Sequence, residues 1–276
     1  MTLAVTEWGA GAPVVAIHGI TASSLAWGEV AAALPDRRLI APDLRGRGRS
    51  NHLPGPYGMP RHARDIIDTL DALAVERAPL VGHSMGAFVA LVTAHLFPDR
   101  VSALLLVDGG LTLQLPPDVT LDDTTAALGP AADRLAMTFA SHEDYRAFWR
   151  AHPAFAHDWP ATLNAYIDYD LDGAPPRLRP RTSVEAMRAD SVELYGSAAV
   201  VASIDELAHP ARLMTAPRGL QDQTPGLYSP AALAGWARRL PQLPIEEVAD
   251  TNHYTIVMGE RGAAAVAARI RELPAA

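Results

Sequence analysis

The chain has 276 residues, 49% of them hydrophobic, and a formal net charge of -8. That length suits one substantial core, and so little positive charge excludes nucleic acid and anionic membrane surfaces as partners. Cysteine is absent and all 23 basic residues are arginine, which removes disulfides, thiolate nucleophiles, iron-sulfur clusters, Schiff-base lysines and the lysine of a phosphate-binding loop.

Leu3 to Thr6 predicts a short edge strand, Gly9-Ala10-Gly11 a turn, and Pro13 to His18 a buried strand closed by Gly19. Gly9 and Gly11 precede a strand and lack the third glycine of a dinucleotide fingerprint, so they read as a hairpin turn. A helix is expected from Ser24 to Leu34, a strand from Arg38 to Ala41, and a helix from Pro60 to Leu73. In that last helix Ile66, Ile67, Leu70 and Leu73 share one face, while Asp65, Asp68 and Asp71 repeat on what reads as its solvated side. Leu80-Val81 and Ala103 to Val107 supply two more buried strands. Apolar strands alternating with helices predict a doubly wound, mostly parallel α/β sheet covered on both faces.

The pattern changes after Asp108. From Thr112 to Val200 no buried strand is evident, and helices are expected at 131–139, 143–151, 161–171 and 184–195, with capping-box spacing at Ser141/Asp144 and Thr182/Glu185. Nine of the seventeen aromatic residues fall in this third of the chain, enough for a small second core and for the roof of an apolar pocket. The domain reading is therefore a core of residues 1–111 and 201–276 with a helical lid at 112–200. Alternation resumes with a strand at Arg212 to Ala216, a helix at 230–240, a strand at 245–248 and a final helix at 262–273.

No run of about 18 apolar residues occurs, and no basic stretch precedes an apolar one near the N-terminus. Neither a membrane span nor a signal peptide is predicted, and a cytoplasmic location is expected. His152, His157 and Asp158 suggest a metal site only superficially, because residues five apart do not share a helix face and Pro153 interrupts. No metal and no cofactor are expected.

The feature that carries most chemistry is Gly82-His83-Ser84-Met85-Gly86, which follows the apolar Leu80-Val81 and precedes a helix of small and apolar residues. A serine on so tight a strand-to-helix turn projects its hydroxyl into a pocket, and glycines are needed where the backbones crowd. A hydroxyl is a poor nucleophile until a base takes its proton, and with no lysine or cysteine that base is a histidine or a carboxylate.

Taken in order, His18-Gly19 after an early strand, Pro42-Asp43-Leu44-Arg45-Gly46-Arg47-Gly48-Arg49-Ser50, the Ser84 turn, Gly219-x-x-Asp222 after a late strand and His253 before the last helix resemble the α/β-hydrolase family over essentially the whole chain. The resemblance implies an α/β-hydrolase fold with an inserted helical cap. It also implies a triad of Ser84, His253 and Asp222, with Asp108 as the alternative acid because some relatives place it after the preceding strand. The backbone N–H groups of Ile20 and Met85 would form the oxyanion hole, with His18 fixing the loop. Arg45, Gly46, Gly48 and Ser50 match a family loop taken as structural. Trp149, Phe155 and Trp159 are the expected pocket aromatics. The implied activity is cleavage of a carboxylic ester of a small to medium apolar substrate through an acyl-enzyme. A lactonase, thioesterase, C–C bond hydrolase or perhydrolase would use the same machinery, and a small-molecule receptor that keeps the fold is the reading from another class. The expected partner is a small-molecule ester or lactone.

Overall fold

A computed structural model describes residues 2–115, 120 and 129–274. Of the expected 112–200 insertion, residues 116–119 and 121–128 lie outside the described residues. Nine strands are present among those described: β1 (Val5–Trp8), β2 (Pro13–Ile17), β3 (Arg38–Pro42), β4 (Ala78–His83), β5 (Val101–Val107), β6 (Leu171–Ala174), β7 (Arg177–Pro180), β8 (Ala211–Thr215) and β9 (Ile245–Glu247). Seven form one sheet in the order β1-β3-β2-β4-β5-β8-β9. Only β1 runs antiparallel to its neighbour.

Strand alternation accounts for two cores. Val14, Ala16, Leu39, Ala41, Leu105 and Val107 face one side and pack against Trp27, Val30 and the final helix Glu260–Glu272 through Val266, Ala267 and Ile270. Val15, Ile17, Ile40, Leu104 and Leu106 face the other side, against the helices Met59–Ala72 and Met85–Leu96 through Ile66, Leu70, Phe88 and Leu91. Residues 85–94 are buried all round their helix, the signature of an element with no solvent face. From β2 the chain passes to β3 on one side and later to β4 on the other. That reversal leaves a crevice beyond the carboxyl ends of β2 and β4, where ligands bind in sheets of this kind.

Between β5 and β8 lie helices at Pro130–Asp133, His142–Arg150, Ala161–Tyr169, Val184–Glu193 and Ala198–Asp205. Beside these helices lies the antiparallel pair β6 and β7, which the sequence reading did not expect, in which Leu171 faces Pro180 and Asp172 faces Arg179. These strands are mostly exposed and lack the apolar run that signals a buried strand. The solvated reading of Asp65 is corrected: it is 1% exposed, because Arg45 reaches over it with Nε at 2.8 Å and a terminal nitrogen at 2.9 Å. No helix among the described residues is long and apolar enough to cross a membrane.

Candidate active site

Ser84 sits directly between β4 and the helix Met85–Leu96 with a φ of 54°, a conformation that costs a non-glycine residue and persists only where its surroundings enforce it. Its N–H donates to the Val107 carbonyl at 2.9 Å. A Cβ on Gly82 would lie 2.2 Å from the Gly86 carbonyl oxygen, and one on Gly86 would lie 2.0 Å from that of Ile17. The flanking glycines are thus required by contact, and the turn delivers Ser84 to the crevice.

His253 Nε2 lies 3.1 Å from Ser84 Oγ, and His253 Nδ1 lies 2.6 Å from Asp108 Oδ2. Asp108 follows β5 and is fully buried, and its other oxygen accepts from Ala216 N–H at 3.2 Å. An ionised carboxylate only accepts, so Nδ1 carries the imidazole proton and the Nε2 lone pair faces the serine hydroxyl. His83 packs beside this ring, with centroids 4.8 Å apart. Its own Nε2 bonds the His253 carbonyl at 2.8 Å. Burial first, and the neighbouring His253 second, push the His83 pKa well below the usual imidazole range. A neutral His83 therefore donates to that carbonyl and tethers the His253 turn.

The Asp222 assignment is corrected by this geometry. Asp222 Oδ1 accepts from Arg218 Nε at 2.7 Å and from Asn252 Nδ2 at 2.8 Å, and it faces a polar cavity of ≈ 650 Å³ away from Ser84. Asp108 follows β5, which adjoins β4, and its carboxylate takes the His253 Nδ1 position, while Asp222 is turned to Arg218 and Asn252. Asp222 instead braces the turn through Asn252, whose Oδ1 accepts from the N–H groups of Tyr254 at 3.0 Å and Thr255 at 2.9 Å.

The loop after β2 is held from its first residue. Leu44 N–H donates to His18 Nε2 at 3.0 Å, so Nδ1 carries the proton and donates to the Gly19 carbonyl at 2.8 Å. Burial lowers the His18 pKa to about 4 and keeps the ring neutral. The two ends of a peptide plane point opposite ways, so anchoring the Gly19 carbonyl fixes the Ile20 N–H direction. Met85 opens its helix, and its N–H is among those without an intrahelical acceptor.

Ser84, His253, Ile20, Phe88, Leu220 and Tyr254 border a cavity of ≈ 50 Å³ whose other walls are almost wholly apolar, including Leu113, Leu227 and Met258. Trp149, Phe155 and Trp159 do not line it, a second correction. Trp149 and Phe155 are 1% and 3% exposed and stack edge-on or tilted against the far side of Tyr254, at 5.9 and 5.5 Å between centroids. Trp159 packs on Phe155. Of the aromatics that sequence reasoning selected, Trp149 and Phe155 are core and Trp159 is half-buried against them, while Tyr254, beside His253 in sequence, and Phe88 border the cavity. Leu113 and Leu227 also border a wider groove of ≈ 860 Å³ under Trp236.

Residues 12–183 match the alpha/beta hydrolase fold family model, and the chain belongs to that family. It is 30% identical over 256 residues to the 2-(acetamidomethylene)succinate hydrolase of Mesorhizobium japonicum, covering 92% of this chain and 86% of that one. A match of 37% identity to an uncharacterized protein of Mycobacterium tuberculosis spans 131 residues, 47% of this chain but only 37% of that protein. A crystal structure of E-2-(acetamidomethylene)succinate hydrolase superposes with a TM-score of 0.81 at 24% identity, covering 98% of this chain and 95% of that chain.

Proposed function

We propose that the chain hydrolyses carboxylic esters with a small apolar acyl or alcohol group through an acyl-enzyme. The observation that carries the reading is the Ser84–His253–Asp108 line, at 3.1 and 2.6 Å, opening on an apolar cavity. In this reading His253 Nε2 takes the hydroxyl proton as Ser84 Oγ attacks the ester carbonyl, and Asp108 stabilises the imidazolium that forms. The Ile20 and Met85 N–H groups receive the oxyanion. The imidazolium then protonates the leaving alkoxide, and the same base activates water to release the acid.

The relative named for 2-(acetamidomethylene)succinate acts on a dicarboxylate. No arginine is among the described residues bordering the Ser84 cavity, and residues 116–128 include none. The two nearby buried arginines, Arg47 and Arg134, are paired with Asp190 and Asp170. This favours a neutral apolar ester over a dianion. Lactones fit the same reading.

The test is turnover of p-nitrophenyl acetate, butyrate and octanoate, two simple lactones and the dicarboxylate, by the parent and by Ser84→Ala. Turnover of the short esters or lactones that Ser84→Ala loses is the expected result. Turnover confined to the dicarboxylate, or unchanged in Ser84→Ala, would overturn the reading, and no turnover of any acyl compound would favour a receptor.

A further inference from the structure

Two fully buried arginines from distant parts of the chain reach the same loop. Arg47, on the loop after β3, donates from Nε to the Ile20 carbonyl at 2.9 Å. Arg134, just after the helix Pro130–Asp133, donates to the Thr21 carbonyl at 3.0 Å. With His18 on the Gly19 carbonyl, three successive carbonyls each accept from a buried side chain. Each arginine is also paired with a carboxylate of the segment between β5 and β8: Arg47 with Asp190, and Arg134 with Asp170, which Tyr145 also bonds. Arg47 further reaches the Met85 sulfur at 3.9 Å, so it touches both residues offered as oxyanion donors. Asp190 in turn accepts from Gly58 N–H at 2.7 Å and lies 2.9 Å from His62 Nε2.

A buried ion pair is a weak source of stability, since desolvation offsets most of the attraction, and apolar residues of similar volume often serve as well. What such pairs supply is fixed direction, because a guanidinium fork commits its donors to set acceptors. Here both forks commit one donor to the Gly19–Ala22 loop and another to a carboxylate of the segment between β5 and β8.

We propose that Arg47 and Arg134 are positioning residues that clamp the Gly19–Ala22 loop to the segment between β5 and β8: by holding the two peptide planes that follow the Ile20 N–H, they act with His18 on the Gly19 carbonyl to keep that N–H aimed at the reacting carbonyl. The proposal rests on the acyl-transfer reading above. It makes the oxyanion site a shared product of two parts of the chain: with either clamp released, substrate still enters the apolar cavity, but the developing oxyanion meets a displaced donor.

The test uses charge-matched removals, Arg47→Met with Asp190→Leu and Arg134→Met with Asp170→Leu, which leave no orphan charge. With active serines counted by an irreversible phosphonate, kcat per serine on p-nitrophenyl butyrate should fall about tenfold to a hundredfold while KM changes less than about threefold. Affinity for an alkyl boronic acid, whose serine adduct carries the tetrahedral anion, should fall in parallel with kcat. A purely structural role would lower Tm and leave both quantities within about twofold of the parent, and that result overturns the clamp. Should a paired variant fail to fold, Arg47→Lys or Arg134→Lys, which keeps the charge but loses the fork, takes its place with the same readouts and the same criteria. Parent turnover that survives Ser84→Ala would remove the acyl-transfer reading itself, whereas turnover that needs Ser84 yet is unchanged in the clamp variants removes the clamp alone.

Discussion

The Asp108 carboxylate meets His253 Nδ1 at 2.6 Å across 145 residues of sequence, whereas Asp222 lies on the other side of the Asn252 side chain. Asp108→Asn should therefore lower kcat by about 10^4, because an amide in that place can favour the wrong imidazole tautomer. Asp222→Asn should cost less than about tenfold, since its effect passes through a turn that is also held by the Asn252 N–H donating to Thr255 Oγ1. Ester kinetics on both folded variants check this, and the reverse ranking would return the acid role to Asp222.

Gly86→Ala should remove activity and destabilise the fold together. Its Cβ would sit 2.0 Å from the Ile17 carbonyl oxygen and 2.8 Å from that of His18, both backbone atoms that cannot step aside without moving β2. A loss of about 2 to 4 kcal/mol in denaturant unfolding is expected. A variant as stable as the parent would show that the elbow can relax.

Stability should decline as pH falls from about 6.5 toward 4. His18 has its pKa lowered to about 4 in the fold against an ordinary value of 6.5, so between those values the unfolded chain takes up a proton that the folded one refuses. The contribution is complete above 6.5 and amounts to about 3 kcal/mol across the window, with His83 shifted in the same direction. Asp190 acts with the same sign in a lower window. Although burial raises it, Arg47 and His62 hold its pKa at about 2 against 3.8, so its contribution is present above 3.8 and is lost as pH falls from there through 2. Urea unfolding at pH 7.5, 6 and 5 measures the slope, and His18→Gln should flatten it. An unchanged slope in that variant would assign the pH dependence elsewhere.

Trp149→Ala should cost about 3 to 5 kcal/mol of stability and leave the ranking of esters unaltered, because the ring is core. Leu227→Ala, at the cavity wall, should instead shift relative kcat/KM among acyl lengths by about 1 to 3 kcal/mol. Measuring both variants on the same ester series separates wall from core, and a selectivity change in Trp149→Ala alone would reverse the assignment.

Where steric necessity confines the choice of residue, the local geometry was legible in the sequence. Gly82, Gly86 and Gly19 flag the crowded backbone around Ser84, and β2, β3, β5 and β8 appear as largely apolar runs close to their observed positions. The choice between Asp108 and Asp222 was not readable in this way. Both are aspartates after strands, and only the side-chain partners decide between them: Asp108 meets His253, whereas Asp222 meets Arg218 and Asn252. Aromatic content predicted that residues 112–200 pack, but not that Tyr254 would stand between Trp149 and the serine. Asp65 looked solvated because its partner Arg45 lies 20 residues away, beyond any helical spacing. The hairpin of β6 and β7 was hidden by its polar strands, Leu171–Ala174 and Arg177–Pro180.

The leucines at 113 and 227 stand between a serine cavity of ≈ 50 Å³ and a groove of ≈ 860 Å³. A space of the smaller size admits a few water molecules at most, and its apolar lining offers them few partners. For an acyl group attached to Ser84, the second reaction is then a competition for admission. Any small neutral nucleophile that tolerates an apolar room, such as methanol or a primary alcohol, competes there with a water that is poorly held. If the proposed acyl-enzyme forms, the walls that would select what is cleaved would also select what receives the acyl group, with Leu113 and Leu227 among those walls.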